Sequence, residues 1–276
     1  MPAIDIARLK TQAAVLVQKF DQPAVFVDEL REILDLYADR TLRVGIAAPA
    51  TVLPAYRVPQ AVLRQIEMEL APLAASFPEQ ALMLGDALWA AGYLETRLLA
   101  AALLGKIHPN APQLTERVKE WVSQARDKQL RNALLNNGLA RLRREMPERL
   151  LQLVQEWFDP RAPKMWENGI YALIPLLEDP SYDNLPPIYN MLTPVIQNIP
   201  PFLQTELADL LTALYRASPV ETAYFLRQAV AGATSPQCVV ILKRLIPALP
   251  EAFRPIVLEI SASRQRKTAN SAEREG

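Results

Sequence analysis

Nine basic residues stand between Arg117 and Arg149 against four acidic ones, a surplus of five positive charges. Among them Arg126, Lys128, Arg131, Arg141 and Arg144 are of the type that contacts phosphate oxygens, which gives affinity without sequence preference. Arg57, beside Tyr56 at the end of an irregular stretch, is a further candidate for such a contact. Trp121 and Trp166 stand next to charged residues and offer flat aromatic faces, and Asp127 is a carboxylate set among the cations. From Leu150 to Phe225 the balance reverses, with three basic residues against nine acidic ones. The chain as a whole is neutral, 30 basic against 30 acidic residues, so only the distribution carries this field. Two solvated faces of opposite sign are the other reading of the same pattern.

Other chemistries lack their parts. One histidine (His108) and one cysteine (Cys238) exclude a disulfide framework and an ordinary Cys/His zinc site, and His108 has no partner at triad spacing. Eight glycines leave no Gly-rich phosphate loop. No metal and no cofactor are expected. The start, MPAIDIARLK, is too charged for a signal peptide. The uncharged run from Asn184 to Thr205 is broken by Pro186, Pro187, Pro194, Pro200 and Pro201. A soluble protein in the cytoplasm, with no membrane partner, is expected.

The elements that must position these residues are helices. Proline is abundant, 24 residues, yet it clusters just ahead of apolar-periodic stretches, where its missing N–H removes no helical bond. Pro78, Pro147, Pro163, Pro187, Pro201, Pro219, Pro236 and Pro250 all fall so. Ser218 and Ser235 take the cap position, and Ser218 with Glu221 spells a capping box. Leu203, Leu207, Leu210, Leu211 and Leu214 share one helical face, as do Leu242, Leu245, Ile246 and Leu249. Two helices are predicted between Ala3 and Asp39, an irregular connection over Arg40 to Arg57, then helices from Val58, Pro78, Tyr93, Gln113 and Asp127.

Pro147, Pro187, Pro219 and Pro250 are 40, 32 and 31 residues apart, and Pro163, Pro201 and Pro236 alternate with them at 38 and 35. Helix pairs at this interval are the mark of an α-solenoid, whose stacked pairs form a shared core and leave a concave inner surface. The expected fold class is therefore all-α, a right-handed α-solenoid of HEAT-like or armadillo-type helical hairpin repeats; an ordinary helical bundle is the alternative. One domain over 1–262 and a disordered polar tail over 263–276 are expected, with the protein a monomer.

Three stretches add a resemblance. Tyr56-Arg57-Val58-Pro59 through Arg64 is similar to a V-x-x-P-x-x-R opening of a helix. Ala87-Leu88-Trp89 followed by Tyr93-Leu94-Glu95-Thr96-Arg97-Leu98-Leu99-Ala100 looks like an L-W…E-x-R-x-x-A helix pair. Trp121, the basic helix after it, Trp157 and Trp166 follow in a similar order. Together they resemble the bacterial HEAT-like-repeat DNA alkylation repair proteins, the alkylpurine DNA glycosylases, over roughly Arg57 to Leu177. The resemblance implies duplex DNA in a basic groove, and a carboxylate with flanking tryptophans around a cationic alkylated base. Trp121, Asn132 and Trp166 are then the base-facing candidates. Asn132 stands where the family's carboxylate belongs and Lys128 where its tryptophan does, while no arginine follows Trp166-Glu167-Asn168-Gly169. Asp127 is the substitute if the alignment slips by a turn. Trp89 and Trp157 lie on apolar faces and read as core, and Glu95 with Arg97 reads as a tie between repeats.

Three functions follow. The first is DNA binding with weak or no catalysis. The second is an active glycosylase that excises cationic purines, and the third a scaffold that takes a protein partner on the concave face.

Overall fold

A computed structural model of the protein describes residues 5–39, 53–233 and 237–263. Among those residues it is 77% helical and holds no strand. Residues 40–52 of the expected irregular connection, Ser235 with Pro236, and the tail from 264 lie outside the described residues. The chain forms two compact units, Met1–Pro147 and Glu148–Gly276.

The first unit runs α1 (Ile6–Leu16), α2 (Pro23–Tyr37), α3 (Gln60–Ser76), α4 (Pro78–Ala90), α5 (Leu94–Leu104), α6 (Leu114–Gln124), α7 (Lys128–Ala133) and α8 (Ala140–Glu145). From α3 to α7, each helix begins within two residues of the predicted start. Helices two apart in the chain lie side by side: α1 on α3, α3 on α5, α5 on α7, and α2 on α4. The interior is leucine-rich, with Leu30, Leu34, Ile66, Leu84, Leu88 and Leu99 fully buried. Burying each such side chain stabilises the unit by roughly 1.5–3 kcal/mol.

The helix predicted from Asp127 is not continuous. Leu134–Gly138 forms a wide π turn between α7 and α8. The sequence there, LLNNG, ends in three poor helix formers, and a Cβ on Gly138 would lie 3.3 Å from the Ala101 carbonyl oxygen on α5.

The second unit runs α9 (Pro147–Trp157, whose first residue ends the first unit), α10 (Trp166–Leu177), α11 (Pro186–Gln197), α12 (Gln204–Ala217), α13 (Pro219–Ala231), α14 (Gln237–Leu245) and α15 (254–263). Short 3-10 turns at Pro163–Met165 and Pro201–Leu203 lead into α10 and α12. Prolines thus open α9, α11 and α13 directly and α10 and α12 through a tight turn. The capping box expected at Ser218 does not form. Ser218 is the N-cap of α13, but its hydroxyl makes no cap bond. Its neighbour Pro219 lacks an N–H, and the Thr222 hydroxyl instead donates to Leu214 O at 2.9 Å. Here α10, α12 and α14 lie side by side, as do α11 and α13.

Candidate nucleic-acid interface

The turn between α6 and α7 is organised by Asp127. It is the N-cap of α7, and its Oδ1 accepts the Leu130 amide at 3.0 Å, which satisfies one of the otherwise unpaired first-turn donors. Asp127 is buried, while its neighbours Arg126 and Lys128 are exposed. Backbone geometry explains this: the capping carboxylate must fold back over the helix end, so the residues on either side face outward. Arg131, one turn on, is half-buried, and its Nε donates to Ala125 O at 3.4 Å. Asn132 follows it, also half-buried, and its Oδ1 is a buried acceptor with no hydrogen-bond partner.

The remaining cations of the run are differently placed. Arg141 donates through Nε to both oxygens of Glu145 at 3.0 Å and through a terminal nitrogen to Lys106 O at 2.7 Å. Arg144 adds a bond to Glu145 Oε1 at 3.2 Å. Partial desolvation pushes the Glu145 carboxyl up, but the bonds from Arg141 and Arg144 outweigh it and hold the group below its ordinary value. Arg117 pairs with Asp86 at 2.5 Å, and Lys119 with Glu116 at 2.9 Å. The cationic surplus is thus paired along α6 and α8 and outward-facing around the start of α7.

The tryptophans are packed. Trp121, 2% exposed, lies face to face with Trp89, ring centroids 4.6 Å apart and planes 4° from parallel. Arg97 covers the other side of that stack, its guanidinium carbon 4.7 Å from the Trp89 ring, and its Nε donates to Trp89 O at 3.2 Å. The Trp89 indole N–H donates to Gln124 Oε1 at 2.9 Å. Trp166 belongs to the second unit, is 3% exposed, and donates its indole N–H to Asp159 O at 2.9 Å. Both candidate base-facing indoles are therefore buried inside their own units; Trp157 is buried as well.

Arg57 is exposed and precedes α3 with φ 58°, in the left-handed region. The reason lies on α5. Glu95, 4% exposed, accepts the Tyr56 amide at 3.1 Å on Oε2 and the Arg57 amide at 2.7 Å on Oε1. The Leu94 amide donates to Pro54 O at 2.9 Å, and Tyr56 stacks on Tyr93 with centroids 4.5 Å apart. Burial, then the neighbouring Tyr93 and Asp35, raises the Tyr56 hydroxyl above its ordinary value. Sequence reasoning took Glu95 and Arg97 as ties between repeats, but it missed that Glu95 binds backbone amides and that Arg97 caps an indole. The signal is in the sequence, since the Tyr56-Arg57-Val58-Pro59 and Glu95-x-Arg97 stretches both belong to the family-like motifs; what spacing cannot give is that they meet.

A shallow niche between α3 and α5 is lined by Glu67, Leu70, Leu99, Ala102, Leu103 and Lys106. Burial raises the Glu67 carboxyl above its ordinary value, against the pull of Lys106 and Arg64. His108 accepts the Asn110 amide on Nδ1 at 3.2 Å, and Cys238 is buried. Among the described residues no group of three His, Cys, Asp or Glu can hold a metal ion, and no helix is long and apolar enough to cross a membrane.

Residues 47–240 match the model of the family described as DNA alkylation repair enzyme. The chain belongs to that family. The match takes in the Tyr56–Arg57 clamp, the Trp89–Trp121 stack, the α6–α7 turn and Trp166, and it continues past the Arg57–Leu177 stretch into the second unit as far as residue 240. No curated protein and no solved structure matches the chain.

Proposed function

We propose that this member of the DNA alkylation repair enzyme family binds DNA through Arg57, Arg126, Lys128 and Arg131, with weak or no base excision. The carrying observation is the α6–α7 turn. Two exposed cations flank a buried carboxylate that is already bonded to the Leu130 amide. Exposed lysine and arginine favour phosphates. A carboxylate used as a helix cap is poorly placed to face a developing cation, and Asn132, a neutral amide, cannot take over that charge. The side-by-side packing of helices two apart supports a solenoid of helical hairpins as the scaffold.

Titration of a fluorescein-labelled duplex at two salt concentrations tests the binding. The expected result is binding at low salt that weakens steeply as salt rises; no binding at low salt, or binding indifferent to salt, overturns it. Incubation with methylated DNA tests the chemistry: little or no released base is expected. Ready release that disappears in Asp127→Asn establishes the glycosylase reading instead. The scaffold reading draws on the pairing of Arg141 and Arg144 with Glu145, which removes two cations from the phosphate-binding set.

A further inference from the structure

Resting on the DNA-binding reading above, we infer that Glu95 is a positioning residue for the DNA contact: it fixes the Arg57 backbone so that the guanidinium is presented to a phosphate. Arginine rarely adopts a positive φ, and at 58° Arg57 is held there by something outside its own segment. The holding group is one carboxylate whose two oxygens each take one of two successive amides, at 3.1 Å and 2.7 Å. Bonds from N–H to an ionised carboxylate are stronger than neutral ones. The clamp reaches across 38 residues of sequence and has no dependence on the Arg57 side chain, which it leaves exposed.

That division matters. Burying a carboxylate is expensive, and a chain that needed only to close residues 54–57 against α5 already has the Leu94–Pro54 bond and the Tyr56–Tyr93 stack. What the carboxylate adds is the fixed dihedral at Arg57. A cation on a fixed backbone loses less freedom on contact than one on a mobile loop, so more of its interaction energy reaches the affinity. The Arg57 side chain makes no hydrogen bond, ion pair or ring contact with any described residue. Its charge is therefore not spent on any described residue.

The test is a double-mutant cycle on the full chain, with a fluorescein-labelled duplex as probe and salt varied. Arg57→Ala is expected to weaken binding roughly three- to tenfold at low salt and to lower the slope of log K against log salt by about 0.9, one phosphate contact. Glu95→Gln, which keeps the shape but offers one acceptor oxygen, is expected to reproduce at least half of that loss in log K and the same flattening. In the double variant the Glu95 change adds nothing further to Arg57→Ala. If Glu95→Gln lacks a cooperative thermal transition, Glu95→Asp, shorter by one methylene, replaces it in the cycle. Equal binding by wild type and the Glu95 variant overturns the inference, as does a Glu95 effect that persists in full without the Arg57 side chain, since that is what a merely structural role gives. An unchanged Arg57→Ala overturns it too while leaving the DNA reading standing; a wild-type chain that ignores duplex at low salt defeats both.

Discussion

The two units use the same helices and hold them differently. In Met1–Pro147, charged side chains tie segments more than thirty residues apart: Glu95 to the Tyr56 and Arg57 amides, Arg117 to Asp86, Arg141 to Lys106 O. In Glu148–Gly276 the ties at similar separation are of both kinds: Tyr189 to Thr222 at 3.1 Å and Gln197 to Ala229 O at 3.4 Å are neutral, while Tyr171 donates to Glu206 and Arg227 to Glu259, each at 3.4 Å. Stacked rings supplement them, Tyr189 on Phe225 and Tyr215 on Phe253. The difference lies in burial: Glu95 and Asp127 of the first unit are buried carboxylates, whereas among the described residues of the second unit no Asp, Glu, Lys or Arg is buried. The contrast is physical. Buried charge is costly unless its geometry is fixed, so a region that keeps it has a backbone whose position is strongly specified. The proposed phosphate contacts all lie in that first region.

The comparison can be broken most severely at the glycines where elements approach. In the first unit a Cβ on Gly105 would strike the Asn137 carbonyl of the π turn, and backbone cannot step aside. Gly105→Ala is expected to cost about 3 kcal/mol in urea unfolding. In the second unit a Cβ on Gly169 would lie 2.7 Å from the buried Phe158 ring. A side chain can shift, and alanine favours the helix, so Gly169→Ala is expected to cost about 1–2 kcal/mol. A larger loss at Gly169 than at Gly105 would show that the second unit is the more rigidly specified.

Asp127→Ala removes the cap of α7 and is expected to cost about 1 kcal/mol in the same unfolding experiment. Base release should not fall with it if the carboxylate has no chemical role; a fall much greater than the stability loss would turn Asp127 from cap to catalyst.

The smallest effects are in pH, where Glu67 of the first unit and Asp159 of the second should act in opposite directions. Burial raises Glu67 above 4.5, so the folded state binds the extra proton and stability from this group falls as pH climbs through the window above 4.5. Glu67→Gln should raise neutral-pH stability by roughly 0.3 kcal/mol, solvent screening keeping it small, with no gain below that window. Asp159 is lowered, chiefly by hydrogen bonds from Arg161, so its contribution is present above 3.8 and is lost as pH falls toward its folded value. Unfolding of Arg161→Ala against pH should show a smaller acid-side loss, because the amide of residue 161 still donates to Asp159; the same slope in both proteins would remove the contrast.

The helices themselves were legible from one-dimensional patterning. Pro78, Pro147 and Pro219 open helices because a first-turn N–H has no partner to lose, and Leu203, Leu207 and Leu211 are buried because a 3.6-residue period places them on one face. The cationic run was legible as composition, but its pairing was not, since Arg141 and Arg144 meet Glu145 only once α8 has formed after the π turn. Trp121 stands beside charged residues in sequence, which makes it a base-facing candidate. It is buried because Trp89, thirty-two positions earlier, lies flat against it.

The sequence by itself determined the helical class, most helix starts and the family, because these depend on local dihedral preferences and on motif order. It did not give the restart at Ala140, and the helix expected from Pro250 begins at residue 254. Only the tertiary structure decided which charges are spent and which are exposed. That outcome depends on where distant backbone amides and carbonyls come to lie, as when the Tyr56 and Arg57 amides meet the Glu95 carboxylate. No local preference encodes such a meeting.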